Sequence, residues 1–96
     1  MRRTAARIDE NQPAIVAALQ KAGALVLSLA PIGKGVPDLL CHYHGRFVLL
    51  EVKNPTKPKA DRQLTPAQKV WHAIWPVTVV ETVDQALAAI GANHAG

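Results

Sequence analysis

"GVPDLLCHYHGRFVLLEVKNP", residues 35–55, sets one aspartate and one glutamate inside two otherwise apolar runs. "PDLLCHY" and "RFVLLEVK" carry the β-branched, aliphatic and aromatic residues of two strands, and His44-Gly45 between them suits a tight hairpin turn. A two-residue turn fixes the register, because it makes Tyr43 face Arg46. Counting back, Leu40 then faces Leu49, and Asp38 faces Glu51. Directly opposed side chains share one sheet face, with Cβ atoms about 4.5–5.5 Å apart. Lys53 lies on that face too, since strand side chains alternate with a period of two. A slip of one residue would break the pairing, so the turn decides it.

Like charges directly opposed in a sheet are destabilising unless something compensates them. A divalent cation is the natural compensator, since Mg²⁺ is typically held by one or two carboxylates plus waters. A neighbouring lysine supplies a cation that can orient a water or neutralise charge growing on a phosphate. Two acids and a lysine at one sheet edge therefore describe metal-assisted phosphodiester hydrolysis. The competing reading makes Asp38 a turn residue after Pro37, with Glu51 and Lys53 on the solvated side of an ordinary strand. "VLLEV" tells against it, because the run reads as buried on both faces apart from these charges.

The rest of the chain supplies the elements around this hairpin. "DENQPAIVAALQKAG" reads as a first helix, with Ile15, Val16, Leu19 and Ala22 at helical spacing and Gly23 at its end. Pro13 belongs in the first turn, which leaves Asn11 or Asp9 as the cap. "ALVLSLA" reads as a strand and "PIGKG" as the loop that breaks it. "NPTKPKADRQ" is a polar, basic loop. "LTPAQKVWHAIW" opens a second helix with Thr65 as N-cap, Pro66 at N1 and Gln68 at N3 of a capping box. "PVTVVE" is a fourth strand. "TVDQALAAIG" is a third helix, capped by Thr82 with Gln85 at N3 and stopped by Gly91. The order α-β-β-β-α-β-α predicts an α/β domain on a small mixed sheet.

Composition bounds the rest. The 96 residues, 49% of them hydrophobic, suffice for one domain over 1–96, with residues 1–8 as a flexible basic arm and 92–96 as a frayed tail. The single Cys41 excludes an internal disulfide and a multi-cysteine zinc site. Zinc at Cys41, His42 and His44 is disfavoured, since alternation sends Cys41 and His42 to opposite faces. The N-terminus lacks the apolar stretch of a signal peptide, and no run is long enough to span a membrane, so a cytoplasmic setting is expected.

Pro37-Asp38 followed by Glu51-Val52-Lys53 resembles the PD-(D/E)xK nuclease signature. The element order resembles that superfamily's restriction-endonuclease-like αβββαβ core, here a mixed four-stranded sheet flanked by helices with a C-terminal helix. Within it, "DENQPAIVAALQKAGA", "GKGVPDLL", "LLEVK" and "LTPAQKVWHAIW" look most like the small stand-alone VRR-NUC domains of phages and prophages, over about Asp9 to Ile90. The resemblance implies a Mg²⁺- or Mn²⁺-dependent deoxyribonuclease in a bacterial host cell. Asp38 and Glu51 would ligate the metal, together with the backbone carbonyl of Val52. Lys53 would position or activate the attacking water and steady the phosphate. An acidic residue from the first helix, Asp9 or Glu10, would join them, Asp9 being preferred; its other reading is a helix cap. Gln68 matches a glutamine that the family turns toward the site. Its other reading is half of the capping box, and one side chain is not expected to do both. His72, one turn on, is within reach of the same face or is a plain surface histidine.

The net charge of +4 favours an anionic partner. Seven basic residues lie from Lys34 to Lys69 against three acids, two of them the expected ligands. Lys34, Lys57, Lys59, Arg62 and Lys69 are the candidate contacts to a DNA backbone, which carry no base information. No base-reading helix is evident, so cleavage selective for branched, Holliday-junction-like DNA is expected, by a homodimer whose two sites cut two strands. Trp71, Ile74 and Trp75 would supply an apolar interface or belong to the core. The rival reading is a non-catalytic nucleic-acid-binding module on the same fold, and a third is a basic scaffold protein.

Overall fold

The computed structural model describes residues 8–92. The expected basic arm and frayed tail therefore fall largely outside the described residues. The chain forms helix α1 (Gln12–Lys21), strands β1 (Leu25–Ser28), β2 (Leu39–Tyr43) and β3 (Arg46–Val52), helix α2 (Pro66–Ile74), strand β4 (Val77–Val80) and helix α3 (Val83–Ile90). Short 3-10 turns at Ala30–Ile32 and Lys59–Arg62 interrupt the two long loops, which the sequence reads as irregular throughout. Among the described residues, no helix is long and apolar enough to cross a membrane.

The four strands lie in the order β1-β2-β3-β4, with β1–β2 and β2–β3 antiparallel and β3–β4 parallel. This mixed sheet is the α/β architecture expected. The hairpin decides it. His44 and Gly45 both take positive φ, 49° and 80°, the signature of a type I′ turn whose twist matches that of its strands. Tyr43 pairs with Arg46, Leu40 with Leu49 and Leu39 with Leu50. The ladder ends one step short of Asp38, so the same register sets Asp38 opposite Glu51.

That register sorts the side chains. Leu39 and Cys41 of β2, Leu50 and Val52 of β3 and Val80 of β4 face Ile15 and Leu19 of α1 and Ala86 and Ile90 of α3, and together they form the core. Burying each large aliphatic side chain there stabilises the fold by about 1.5–3 kcal/mol. Helices α1 and α3 pack on each other and on this one face. Both end in Schellman motifs. Gly23 and Ala24 donate to the carbonyls of Gln20 and Leu19, and Gly91 and Ala92 to those of Ala88 and Leu87. Ala92 is thereby buried and tied down, rather than being the first residue of a frayed end.

The opposite face carries Leu25, Leu27, Leu40, Phe47, Leu49 and Val79, together with Glu51. Among the described residues, only α2 lies over it, at the Glu51 end. The expectation that β3 is buried on both faces thus holds for Leu50 to Val52 and fails for Arg46 and Phe47, which are exposed. Trp71 is half-buried, and Ile74 and Trp75 are 75% and 48% exposed, so none of the three belongs to the core.

Helix α1 starts at Asn11, one of the two cap positions the sequence leaves open. Asn11 occupies the N-cap position, but its side chain makes no cap bond. Its amide donates instead to the backbone carbonyls of Lys53 and Glu81, each at 3.0 Å. Those two bonds fix the side chain's orientation, and Oδ1, the atom a cap would use, is left buried without a partner. Asp9, outside the helix, accepts from Gln12 through its backbone oxygen, not its carboxylate.

Candidate metal centre and its surroundings

Glu51 is fixed by the penultimate position of β3, where the strand passes beneath α2 and leaves it only 2% exposed. One carboxylate oxygen, Oε2, accepts from Gln68 Nε2 at 3.1 Å. The other, Oε1, is buried without a hydrogen-bond partner and lies 3.7 Å from His72 Nε2, which also lacks one. Burial raises the Glu51 pKa most. The neighbouring Asp38 carboxyl, which favours the protonated form and repels the charged one, raises it further, Lys53 opposes the rise, and Asp9 adds a smaller push, leaving it at about 9. The cost of a bare carboxylate here is what a cation would remove.

Asp38 is held from both sides. Its backbone carbonyl accepts from the Leu29 amide at 2.8 Å, just past the end of β1, and its Oδ2 accepts from the Val52 amide at 2.7 Å. Buried Pro37 restricts the backbone ahead of it. The two carboxyls therefore converge on the face that the hairpin register assigns them. Val52 adds a third oxygen. In extended backbone a residue's N–H and C=O point to the same side. The Val52 carbonyl thus points where its amide does, opposite Pro37, which has no N–H to give it.

Lys53 follows on the same face and is 7% exposed. Its Nζ donates to Gln68 Oε1 at 2.9 Å and reaches the Gln63 carbonyl at 3.5 Å. Gln68 Oε1 also accepts from the Thr65 amide at 2.9 Å, while Thr65 Oγ1 accepts from the Gln68 amide at 3.2 Å. The capping box is formed, yet the same side chain spans Lys53 and Glu51. The expectation that one glutamine cannot do both is corrected. A carbonyl oxygen has two lone pairs, and the amide nitrogen stays available to Glu51. The cap thus presets the rotamer that serves the site.

A loop with unusual backbone brings α2 to the strands. Gly33, Lys34 and Gly35 take φ of 68°, 59° and 80° in succession. A Cβ on Gly35 would sit 2.5 Å from the carbonyl carbon of Ala67, in the first turn of α2. Only glycine allows that approach, which the sequence shows merely as a loop.

The remaining candidates are spread more widely. The Asp9 carboxylate pairs with Lys57 Nζ at 3.3 Å and acts on Glu51 only through its field, while Glu10 is exposed. Arg62 pairs with Glu81 at 3.1 Å. Lys57 and Arg62 are therefore partly neutralised, whereas Lys34, Lys59 and Lys69 are exposed to solvent. His72 lies one turn beyond Gln68 on the same side of α2, and burial, then the Lys53 cation, holds its pKa below the usual histidine value. The i, i+4 spacing of Gln68 and His72 is the signal that finds it. Asn11, which clamps the Lys53 and Glu81 carbonyls together, gives no such signal, because its sequence context reads as a cap. On the hairpin, Cys41 points into the core, where burial pushes its thiol up to about 11, and His42 points to the open face against Phe47. His44 stacks on Tyr43 at the turn.

Among the described residues, no three His, Cys, Asp or Glu side chains gather as a metal cluster. What the site offers is two carboxylates, the Val52 carbonyl side and a buried Glu51 oxygen without a partner. That set fits a hard divalent cation such as Mg²⁺, which keeps several waters and takes its other oxygens from a phosphate. It fits zinc poorly, since zinc sites are built chiefly from cysteine and histidine and neither a cysteine nor a pair of histidines stands here. Comparison of the chain with protein-family models, with curated proteins and with solved structures finds no match.

Proposed function

We propose that the chain is a deoxyribonuclease of the PD-(D/E)xK type, similar to stand-alone VRR-NUC domains, that hydrolyses phosphodiester bonds with Mg²⁺ or Mn²⁺. One observation carries the reading. Asp38 and Glu51 converge beside Lys53, and one Glu51 oxygen is buried without a partner. A purely structural pair of opposed acids would be a standing cost to the fold.

Asp38, Glu51 and the Val52 carbonyl would hold the cation, with Asp9 contributing through its negative field. When bound, such an ion polarises the phosphate and makes its bound water more acidic. Hydrolysis joins the water oxygen to phosphorus, breaks the P–O ester bond and returns a proton to the departing oxygen. Lys53 reaches in beside the two carboxylates and would balance the charge that grows on the phosphate oxygens. Gln68 holds that ammonium through Oε1 and Glu51 through Nε2, so it positions both groups. Water exclusion by α2 strengthens each of these contacts.

The substrate in this reading is DNA, branched or duplex, approached through exposed Lys34, Lys59 and Lys69 and through Lys57 and Arg62 once their ion pairs yield to phosphate. Selectivity for branched DNA and pairing of two chains belong to the same proposal, as does a bacterial cytoplasmic setting. The test is incubation with linear, single-stranded, forked and four-way DNA in Mg²⁺, Mn²⁺ or EDTA, beside Glu51→Ala and Lys53→Ala. Metal-dependent cleavage lost in both variants is expected. Cleavage that survives EDTA or either substitution overturns the mechanism, and binding without cleavage in every metal makes the chain a binding module.

A further inference from the structure

Among the described residues, Glu51 Oε1 and His72 Nε2 are both buried without a hydrogen-bond partner, and they stand 3.7 Å apart. Buried polar atoms are seldom left unpaired, and two that adjoin each other call for an explanation. A histidine present only to bond Glu51 would stand at ~2.9 Å from it, so the pair does not satisfy itself. The surrounding residues hold both groups in place. Gln68 takes the other Glu51 oxygen at 3.1 Å, which leaves Oε1 to a ligand. His72 follows Gln68 by one turn of α2, so the capping box that sets the glutamine also sets the imidazole. Its side chain is 13% exposed. Burial and the Lys53 cation favour its neutral form, and a neutral imidazole offers a lone pair on one nitrogen.

We propose that His72 Nε2 is a ligand of the same divalent cation as Glu51 Oε1, and that this nitrogen makes the centre select Mn²⁺ over Mg²⁺. The inference rests on the metal-dependent reading above, in which every protein ligand is an oxygen. Two donor atoms ~2.1 Å from one ion stand about 3.0 Å apart at the right angle of an octahedral site. Reaching that separation from the observed 3.7 Å takes about 0.7 Å, which a small side-chain rotation supplies. Asp38, Glu51 and His72 are not drawn into one cluster among the described residues, so the ion itself provides the last pull. Selectivity follows from the donor set. Mg²⁺ takes oxygen ligands and gives up its waters reluctantly. Imidazole suits first-row transition ions better, and Mn²⁺ is the ion of that series that also accepts carboxylate and carbonyl oxygens.

Electron spin-echo spectroscopy of MnCl2 added to the metal-free protein reads the nitrogen directly and needs no DNA. The coupling of a bound imidazole nitrogen is expected in the wild-type protein and is expected to vanish in His72→Gln and His72→Ala. Calorimetric titration with MnCl2 and with MgCl2 reads the selectivity. Each variant is expected to weaken Mn²⁺ binding at least ~10-fold and Mg²⁺ binding less than ~3-fold. His72→Gln keeps polar bulk under α2, and far-UV circular dichroism should match that of the wild type. A wild-type protein that binds Mn²⁺ without nitrogen coupling overturns this proposal and leaves the nuclease reading standing. So does a coupling that persists in both variants, or an equal weakening of the two ions. A wild-type protein that binds neither ion overturns the metal centre itself, and the role of His72 with it.

Discussion

Glu51→Gln keeps the shape of a protonated glutamate and removes its charge, and it should stabilise the metal-free protein. The unfolded chain ionises Glu51 near 4.5, whereas the folded chain holds the proton up to about 9. The folded state thus binds the proton more tightly. Its contribution is fully present below pH 4.5 and is lost progressively as pH rises toward 9. Each pH unit in that window costs about 1.4 kcal/mol, so at pH 7.5 the loss is on the order of 4 kcal/mol. A domain of this size has only about 5–15 kcal/mol in all. The glutamine carries no such loss, because it has no charge for burial to penalise. Thermal unfolding in EDTA, followed by circular dichroism from pH 4.5 to 8.5, reads the difference between the two proteins and cancels every other titrating group. The curves should meet near pH 4.5 and separate by more than ~10 °C at pH 7.5, with the variant higher. Parallel curves, or a variant less stable at pH 7.5, would refute the strain assigned to Glu51.

Three further outcomes follow from the same geometry. Gly35→Ala meets both a φ of +80° and the Ala67 carbonyl carbon at 2.5 Å. It should cost at least ~2 kcal/mol in urea unfolding, and a cost under ~0.5 kcal/mol would show that the loop does not pack on α2 as described. Thr65→Ala removes only the cap and should cost about 1 kcal/mol, whereas Gln68→Leu also strands Glu51 and Lys53 and should cost about 2 kcal/mol more. Equal costs for the two variants would mean that the bridge contributes nothing. His72 should titrate below the ordinary 6.5 in an NMR series, and Lys53→Met should move it upward. A value above 6.5, or one that Lys53→Met leaves unchanged, contradicts the placement of the two side chains.

Much of this arrangement was legible because it is local. A two-residue His44-Gly45 turn admits one register, and that register alone sets Asp38 against Glu51. Thr65, Pro66 and Gln68 mark the start of α2 by their spacing, as Gly23 and Gly91 mark the ends of α1 and α3. What stayed hidden depends on contacts between distant residues. Asn11 looks like a cap until Lys53 and Glu81 arrive to claim its amide. Gln68 looks committed to its cap because the sequence does not show how close Lys53 and Glu51 come to it. Gly35 looks like one loop glycine among several until α2 packs against it. That α2 leaves most of one sheet face uncovered is a matter of where a crossover helix lands. Periodicity within the helix does not determine that.

The central claim is that Asp38, Glu51 and the Val52 carbonyl together hold a divalent cation. Anomalous diffraction from crystals grown with Mn²⁺ tests it most directly, with Glu51→Gln crystals as the control. A peak bonded to both carboxylates and the Val52 oxygen, absent from the variant, is the result expected. A Mn²⁺ peak that lies elsewhere in the protein, or one that persists at the same strength in Glu51→Gln, would contradict it.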